Sequence, residues 1–140
     1  MRKIKNCENK LYRIIDANLN RAKEGLRVCE DVCRFILDDK KNTREFKDIR
    51  HRLTHLISFL PVSQVIRYRD SDTDVGRMTT TAELRRKKIA DIFYANSQRV
   101  KESIRVLEEF FKLGHPATAK DLKILRYKIY ALEKKVTQQF

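Results

Sequence analysis

The sequence predicts an all-α protein, a four-helix bundle made from a duplicated helical hairpin. Three observations carry that prediction. Glycine and proline are scarce, three and two residues in 140, whereas sheets built of hairpins need turn residues at short intervals. Apolar residues recur with the 3.6-residue helical period over long stretches. The third observation is an internal repeat. Residues 17–34 align without a gap on residues 95–112, and eight positions are identical: Ala17/Ala95, Asn18/Asn96, Arg21/Arg99, Lys23/Lys101, Glu24/Glu102, Arg27/Arg105, Val28/Val106 and Glu30/Glu108. The segments that follow align more weakly, Arg50 with Arg126 and Leu53 with Ile129. Two such hairpins docked face to face give a bundle with an approximate two-fold axis.

In chain order, one helical domain is expected: a hairpin over 9–60, a crossover over 61–81 and a second hairpin over 82–136. The first helix reads from about Asn9 to Leu37, with Leu19, Ala22, Leu26, Cys29, Val32, Cys33 and Ile36 as its inward stripe. The polar run Asp38 to Asn42 ends it. Thr43 is the expected N-cap of the second helix, whose stripe of Phe46, Ile49, Leu53, Leu56, Ile57 and Leu60 runs up to Pro61. Within the crossover, Val62 to Arg67 fits a short helix or an extended piece equally. The third helix is expected to start near Thr81, with Glu83 in its first turn, and to run to Leu113. Gly114 terminates it, and Pro116 opens the fourth, which ends near Val136.

Composition narrows function. No glycine-rich phosphate loop of either common pattern is present. Neither a signal-peptide core after the basic Met1–Lys5 nor a membrane-length apolar run occurs, so a cytoplasmic protein without membrane contact is expected. Cys29 and Cys33, four apart on an apolar face, read as buried thiols. The net charge is +13, spread evenly over both halves. That excess fits a lysine-rich surface or a pull on small anions, and nucleic acid is the least favoured partner. The run Arg85–Lys88 reads as a solvated helix face.

Helix geometry sorts the repeated residues. At about 100° per residue, Asn18 shares its face with Ala22, Gly25, Cys29 and Val32. Arg21 lies about 60° to one side, Glu24 falls at the border, and Lys23, Arg27 and Glu30 fall on the far side. Asn96, Arg99 and Glu102 repeat the arrangement. Guanidinium groups near an apolar stripe are costly unless paired. Two readings therefore stand: an inward ion network, or a pocket between the hairpins that binds an anionic ligand. Gly25 in mid-helix implies a close approach by a helix or a ligand. In the crossover, Asp70, Asp72 and Asp74 alternate ahead of Gly76. As a calcium loop the pattern fails, with Gly one place late and Thr81 at position twelve, but Asp70 and Asp74 are candidates for magnesium. Thr79 and Thr80, next to Gly76, would hold a phosphate at a helix N-terminus; a capped mobile loop is the alternative. His51 and His55 have zinc-like spacing but no third ligand nearby. Tyr12, Tyr94, Tyr127 and Tyr130 fit a core edge or a stacking surface.

The runs Leu11–Asp31, Asp74–Gly76, Ala95–Glu109 and Arg126–Tyr130 resemble a small helical domain of thiamin biosynthesis, the alternative hydroxymethylpyrimidine-phosphate kinase. This domain occurs alone or ahead of a thiamine-phosphate synthase barrel. The resemblance spans about Leu11 to Glu133. With no barrel following in these 140 residues, the stand-alone form is expected. Cys29 and Cys33 depart from the aliphatic and small residues expected there, which affects packing. The resemblance implies ATP-dependent phosphorylation of 4-amino-5-hydroxymethyl-2-methylpyrimidine phosphate to the diphosphate, with magnesium. The residues themselves suggest how. Arg21 and Arg99, with Arg126, would neutralise phosphates, and Asn18 and Asn96 would orient them. Glu24 or Glu102, with Asp70 or Asp74, would hold magnesium. A phosphate acceptor is already anionic and needs no base. A homo-oligomer is compatible with this reading, and a non-enzymatic basic module that binds RNA or a protein is its rival.

Overall fold

A computed structural model describes the backbone of residues 2–140 and the side chains of residues 7–140. The basic run Met1–Lys5 therefore has its side chains outside the described residues. Among the described residues five α-helices follow one another: α1 (Arg2–Asp31), α2 (Lys40–Leu56), the short α3 (Val62–Arg67), α4 (Ile89–Phe111) and α5 (Pro116–Thr137). No strand occurs among the described residues. The four long helices close a ring in which α1 packs on α2, α2 on α5, α5 on α4 and α4 on α1. The α1–α4 seam is the most extensive of these contacts. Ala22, Leu26 and Cys29 from α1 meet Phe46 and Leu53 from α2, Phe93, Ile104 and Leu107 from α4, and Leu122 and Ile129 from α5 in one core.

Gly25 explains how α1 and α4 come so close. A Cβ there would lie 2.7 Å from Val100 Cγ2 and 3.0 Å from the Asn96 carbonyl oxygen. A helix, not a ligand, makes the close approach. Further along, the Cys29 thiol reaches the Phe93 carbonyl at 3.9 Å. As numbers rise on α1 they fall on α4, so the two helices run antiparallel.

The helix ends differ from the sequence reading, each for a local reason. α1 begins well before Asn9, and its last turn widens at Val32–Ile36, where the Leu37 N–H reaches back five residues to the Val32 carbonyl at 3.1 Å. The duplication accounts for that widening. Arg27 matches Arg105, 78 residues on, while Arg50 matches Arg126, 76 residues on, so the first hairpin carries two additional residues. They are Phe35 and Ile36, exposed at 63% and 54%. Beyond them the turns coincide again: Asp38 at φ 50° stands where Gly114 sits at φ 92°.

The N-cap of α2 is Asp39, not Thr43, because the Asp39 carboxylate accepts from the Asn42 N–H at 2.9 Å. Thr43 lies in the first turn and donates its hydroxyl to the Asp39 carbonyl. α2 stops at Leu56, ahead of Pro61, which instead precedes α3. The largest correction concerns the third helix. Thr81–Leu84 form only a 3₁₀ turn, and α4 begins at Ile89. Asp91 fixes that start by accepting from the N–H groups of Lys87 and Lys88 at 3.0 and 2.9 Å. The cationic run Arg85–Lys88 is solvated but not helical; stacking four like charges on a first helical turn would oppose both their mutual repulsion and the helix dipole.

Candidate functional site

Much of the repeated polar sequence is structural. Glu30 and Glu108 were placed on the solvated side by geometry, but both are buried, at 3% and 2% exposure. Each takes an arginine from the next helix and another from its own. Arg50 donates to Glu30 at 3.0 Å, and Arg27 does so at 3.4 Å. Arg126 donates through two nitrogens to Glu108, which also receives Arg105 at 3.3 Å. These matched triads tie α1 to α2 and α4 to α5. The Glu108 carboxylate holds the Arg126 guanidinium above its ordinary range. Arg126 is thereby bound to its own hairpin, not poised over a phosphate. Lys101 is likewise used, donating to Glu133 at 2.7 Å.

Removing these pairs leaves a pattern. Identical residues at positions 17, 21, 24 and 28 recur at 95, 99, 102 and 106: Ala, Arg, Glu and Val in both cases. The spacing of four, three and four places each set on one stripe of its helix. On α1, the Gly25 side faces α4 and the Glu30 side faces α2, so the stripe turns away from α2. On α4 the same construction turns it away from α5. Because α2 and α5 touch each other, both stripes lie on the opposite, open face and flank the α1–α4 seam. The antiparallel register sets Arg21 level with Glu102 and Arg99 level with Glu24. All four side chains are exposed, and among the described residues none makes an ion pair within 4 Å. Glu102 accepts only from Gln98 at 3.1 Å. The inward ion network is overturned, and so is a pocket enclosed between the hairpins: the four side chains flank an open seam, and the cleft that Arg21 lines lies between α1 and the crossover. Meanwhile the core facing this seam has drifted, Ala22 against Val100, Leu26 against Ile104 and Cys29 against Leu107.

Asn18 and Asn96 sit at equivalent points and donate to the carbonyls of Ile14 and Ile92, both at 2.9 Å. Asn18 also lines a cleft of about 570 Å³ where the crossover folds beside α1. Arg21, Asp70 and Asp74 line the same cleft, together with Lys10, Arg13, Asp16 and Arg69. The structure thus brings Asn18, Arg21, Asp70 and Asp74 to one place. Arg69 clamps the crossover there with two bonds to Asp16, at 2.6 and 2.7 Å. Asp70 accepts from the hydroxyl and N–H of Thr73, which hold its carboxyl below the usual range. Asp74 accepts from the Gly76 N–H at 3.0 Å. Gly76, Thr79 and Thr80 are exposed outside the cleft lining, and Thr79 and Thr80 lack the long helix whose N-terminus was to bind phosphate. Glu24, Asn96, Arg99 and Glu102 lie along the seam, outside that lining.

Sequence reasoning missed Arg13, Asp16 and Arg69. Asp16 had one signal: Asn20, four residues on, donates to it at 3.1 Å. Nothing local marks Arg69 as its partner across 53 residues. Among the described residues no group of three His, Cys, Asp or Glu is placed to hold a metal unaided. His51 and His55 are exposed on α2. Cys29 and Cys33 are buried thiols, as read. Among the described residues no helix is long and apolar enough to cross a membrane.

The ThiD2 family model matches residues 13–135. The chain belongs to the ThiD2 family. The curated relatives it resembles carry more besides. It is 44% identical over 126 residues to a thiamine-phosphate synthase of Synechocystis sp., covering 88% of this chain and 35% of that protein. A thiamine-phosphate synthase of Nostoc punctiforme is 41% identical over 124 residues, with 88% and 34% covered. One from Nostoc sp. is 38% identical over 130 residues, with 92% and 36% covered. This ThiD2 chain therefore spans about a third of the length of those relatives. No solved structure matches it.

Proposed function

We propose that this ThiD2 chain is an ATP-dependent kinase that converts 4-amino-5-hydroxymethyl-2-methylpyrimidine phosphate to its diphosphate in thiamin biosynthesis. Family membership and relatives named thiamine-phosphate synthases support the pathway. One observation carries the site: four of the eight identities, Ala17/Ala95, Arg21/Arg99, Glu24/Glu102 and Val28/Val106, fall on an open stripe whose Arg and Glu are unpaired, while the adjoining core has drifted. Structural constraint alone would preserve packing rather than solvated charge.

The transfer breaks the bond from the γ-phosphorus of ATP to its bridging oxygen and forms one to an oxygen of the acceptor monophosphate; ADP leaves. Such a reaction depends on positioning and charge neutralisation. Arg21 and Arg99 would grip donor and acceptor phosphates from opposite sides of the seam, with Arg13 and Lys10 adding charge at the cleft. Asn18 and Asn96 would fix the approach of phosphate oxygens. The hard carboxylate oxygens of Asp70 and Asp74, with Glu24 or Glu102, suit a magnesium ion, which takes one or two carboxylates plus phosphate oxygens. When bound, the ion would neutralise charge on the phosphates. The test is to incubate the purified chain with ATP, magnesium and the pyrimidine monophosphate. ADP and the diphosphate should appear in equal amounts by phosphorus NMR; no diphosphate would end the proposal.

One feature favours a second reading. On α5, Tyr127 and Tyr130 are exposed, with the exposed Lys123 at 5.9 Å from the Tyr127 ring. Interleaved aromatic rings and cations suit single-stranded RNA. That reading requires affinity that falls steeply with salt and no diphosphate formed.

A further inference from the structure

A second cleft, of about 420 Å³, opens on the other side of the crossover clamp, between α1, α3 and the α4–α5 turn. Its walls combine rings with a few polar groups. Tyr12 stacks on Tyr68 with centroids 5.8 Å apart and planes 18° apart. Gln64 accepts from the Tyr12 hydroxyl at 3.5 Å, and Arg67 and His115 complete the rim over Phe111. With Glu8 and Asn9 also at its edge, the lining is part aromatic and part polar, which suits a small polar aromatic ligand.

The duplication shows that the fold does not oblige this cleft to be open. At the corresponding end of the second half stands the tail residue Phe140. Phe140 packs on Phe93 at 5.7 Å and on Tyr94 at 6.1 Å, while the neighbouring Gln139 donates to Asp39 at 2.7 Å and pins the tail to the other hairpin turn. There the chain tail covers the helix end with a phenylalanine, whereas Gln64 is exposed at the rim of the cleft. Likewise Tyr12 stands where the other half has Ala90.

We propose that this cleft binds a planar, amino-substituted nitrogen heteroaromatic ring. The tyrosines offer stacking faces, and the Gln64 carboxamide can accept from an exocyclic amine while donating to a ring nitrogen. Two sources share that chemistry, the acceptor pyrimidine and the adenine of the donor; naming them rests on the kinase reading. Calorimetric titration with each ring lacking phosphate, 4-amino-5-hydroxymethyl-2-methylpyrimidine or adenosine, separates them. One of the two should bind the wild-type chain. Gln64→Phe, which replaces the carboxamide with a bulky ring, should weaken that binding roughly tenfold or more, and Tyr68→Ala should do so by removing a stacking face. Circular dichroism checks that each is folded. Failure of both rings to bind wild type at millimolar concentration overturns the proposal, as does undiminished binding in the folded variants. Ring binding without phosphate transfer would sink the kinase reading alone. Transfer with KM for both substrates unchanged in both variants would sink the cleft alone.

Discussion

Gly25 shows how a single missing side chain organises the molecule. In an exposed helix, Gly→Ala stabilises by roughly 0.5–1 kcal/mol. Here the added carbon would meet Val100, a β-branched side chain with little freedom, and the backbone of Asn96. Gly25→Ala should therefore lose about 1–3 kcal/mol by urea unfolding; a gain would mean that the α1–α4 seam parts without cost. The buried thiols make a prediction in pH. Burial pushes the Cys33 thiol up to about 12, with the Asp39 charge adding to the effect, and raises Cys29 too. An acid whose pKa is raised by folding stabilises fully below its unfolded value, about 8.5. That contribution is lost as pH climbs from there towards the folded value, because only the unfolded chain then ionises. Above about pH 9, Cys33→Ala should flatten the fall in stability by up to about 1.4 kcal/mol per pH unit. Identical slopes for wild type and variant would show that the folded thiol ionises freely.

The hairpin turns show the same economy one level up. Asp38 holds a left-handed conformation that its counterpart Gly114 adopts without strain. Asp38→Gly should raise stability by about 0.5 kcal/mol, the relief of the left-handed backbone being partly offset by glycine's greater unfolded freedom. Thermal unfolding measures it, and a fall would show that the Asp38 side chain supports the turn. Helix identity was legible because stripes such as Phe46, Ile49 and Leu53 repeat the helical period with no competing signal. Boundaries were less so. The delayed start of α4 depends on Asp91 reaching back to two N–H groups, and a capping box of similar quality, with Thr80 as the N-cap in place of Thr81 and Glu83 reaching back to it, stands eight residues earlier. Tertiary packing joins the repulsion within Arg85–Lys88 in choosing between them, since Leu84 is exposed and Phe93 is buried. The widened turn at Val32–Ile36 was hidden for another reason: its cause is a length difference between the halves, visible only once both hairpins are aligned.

For the whole molecule, duplication turns one face into a comparison with itself. Period and repeat made Asn18, Arg21 and Glu24 visible as a set, but angle alone misassigned Glu30, because it did not know that α2 would bring Arg50 to that side. The cleft acids Asp70 and Asp74 were visible as a cluster; their placement beside Arg21 follows from the Arg69–Asp16 clamp, a contact between distant segments that no local pattern encodes. The seam itself supplies the sharpest test. Arg21 and Arg99 are exposed and unpaired, so Arg21→Ala and Arg99→Ala should each fold with stability within about 0.5 kcal/mol of wild type. Each should lower kcat/KM for phosphate transfer on the order of a hundredfold, the usual effect of removing a group that stabilises developing charge. Lysine in either place should restore little, because a point charge does not reproduce the planar two-pronged grip on phosphate. The double variant then decides the geometry. Groups that act on one reacting phosphate fail together, so its loss should be well below the product of the single losses. Losses that multiply would show two independent half-sites, and full activity in either single variant would remove that arginine from the site.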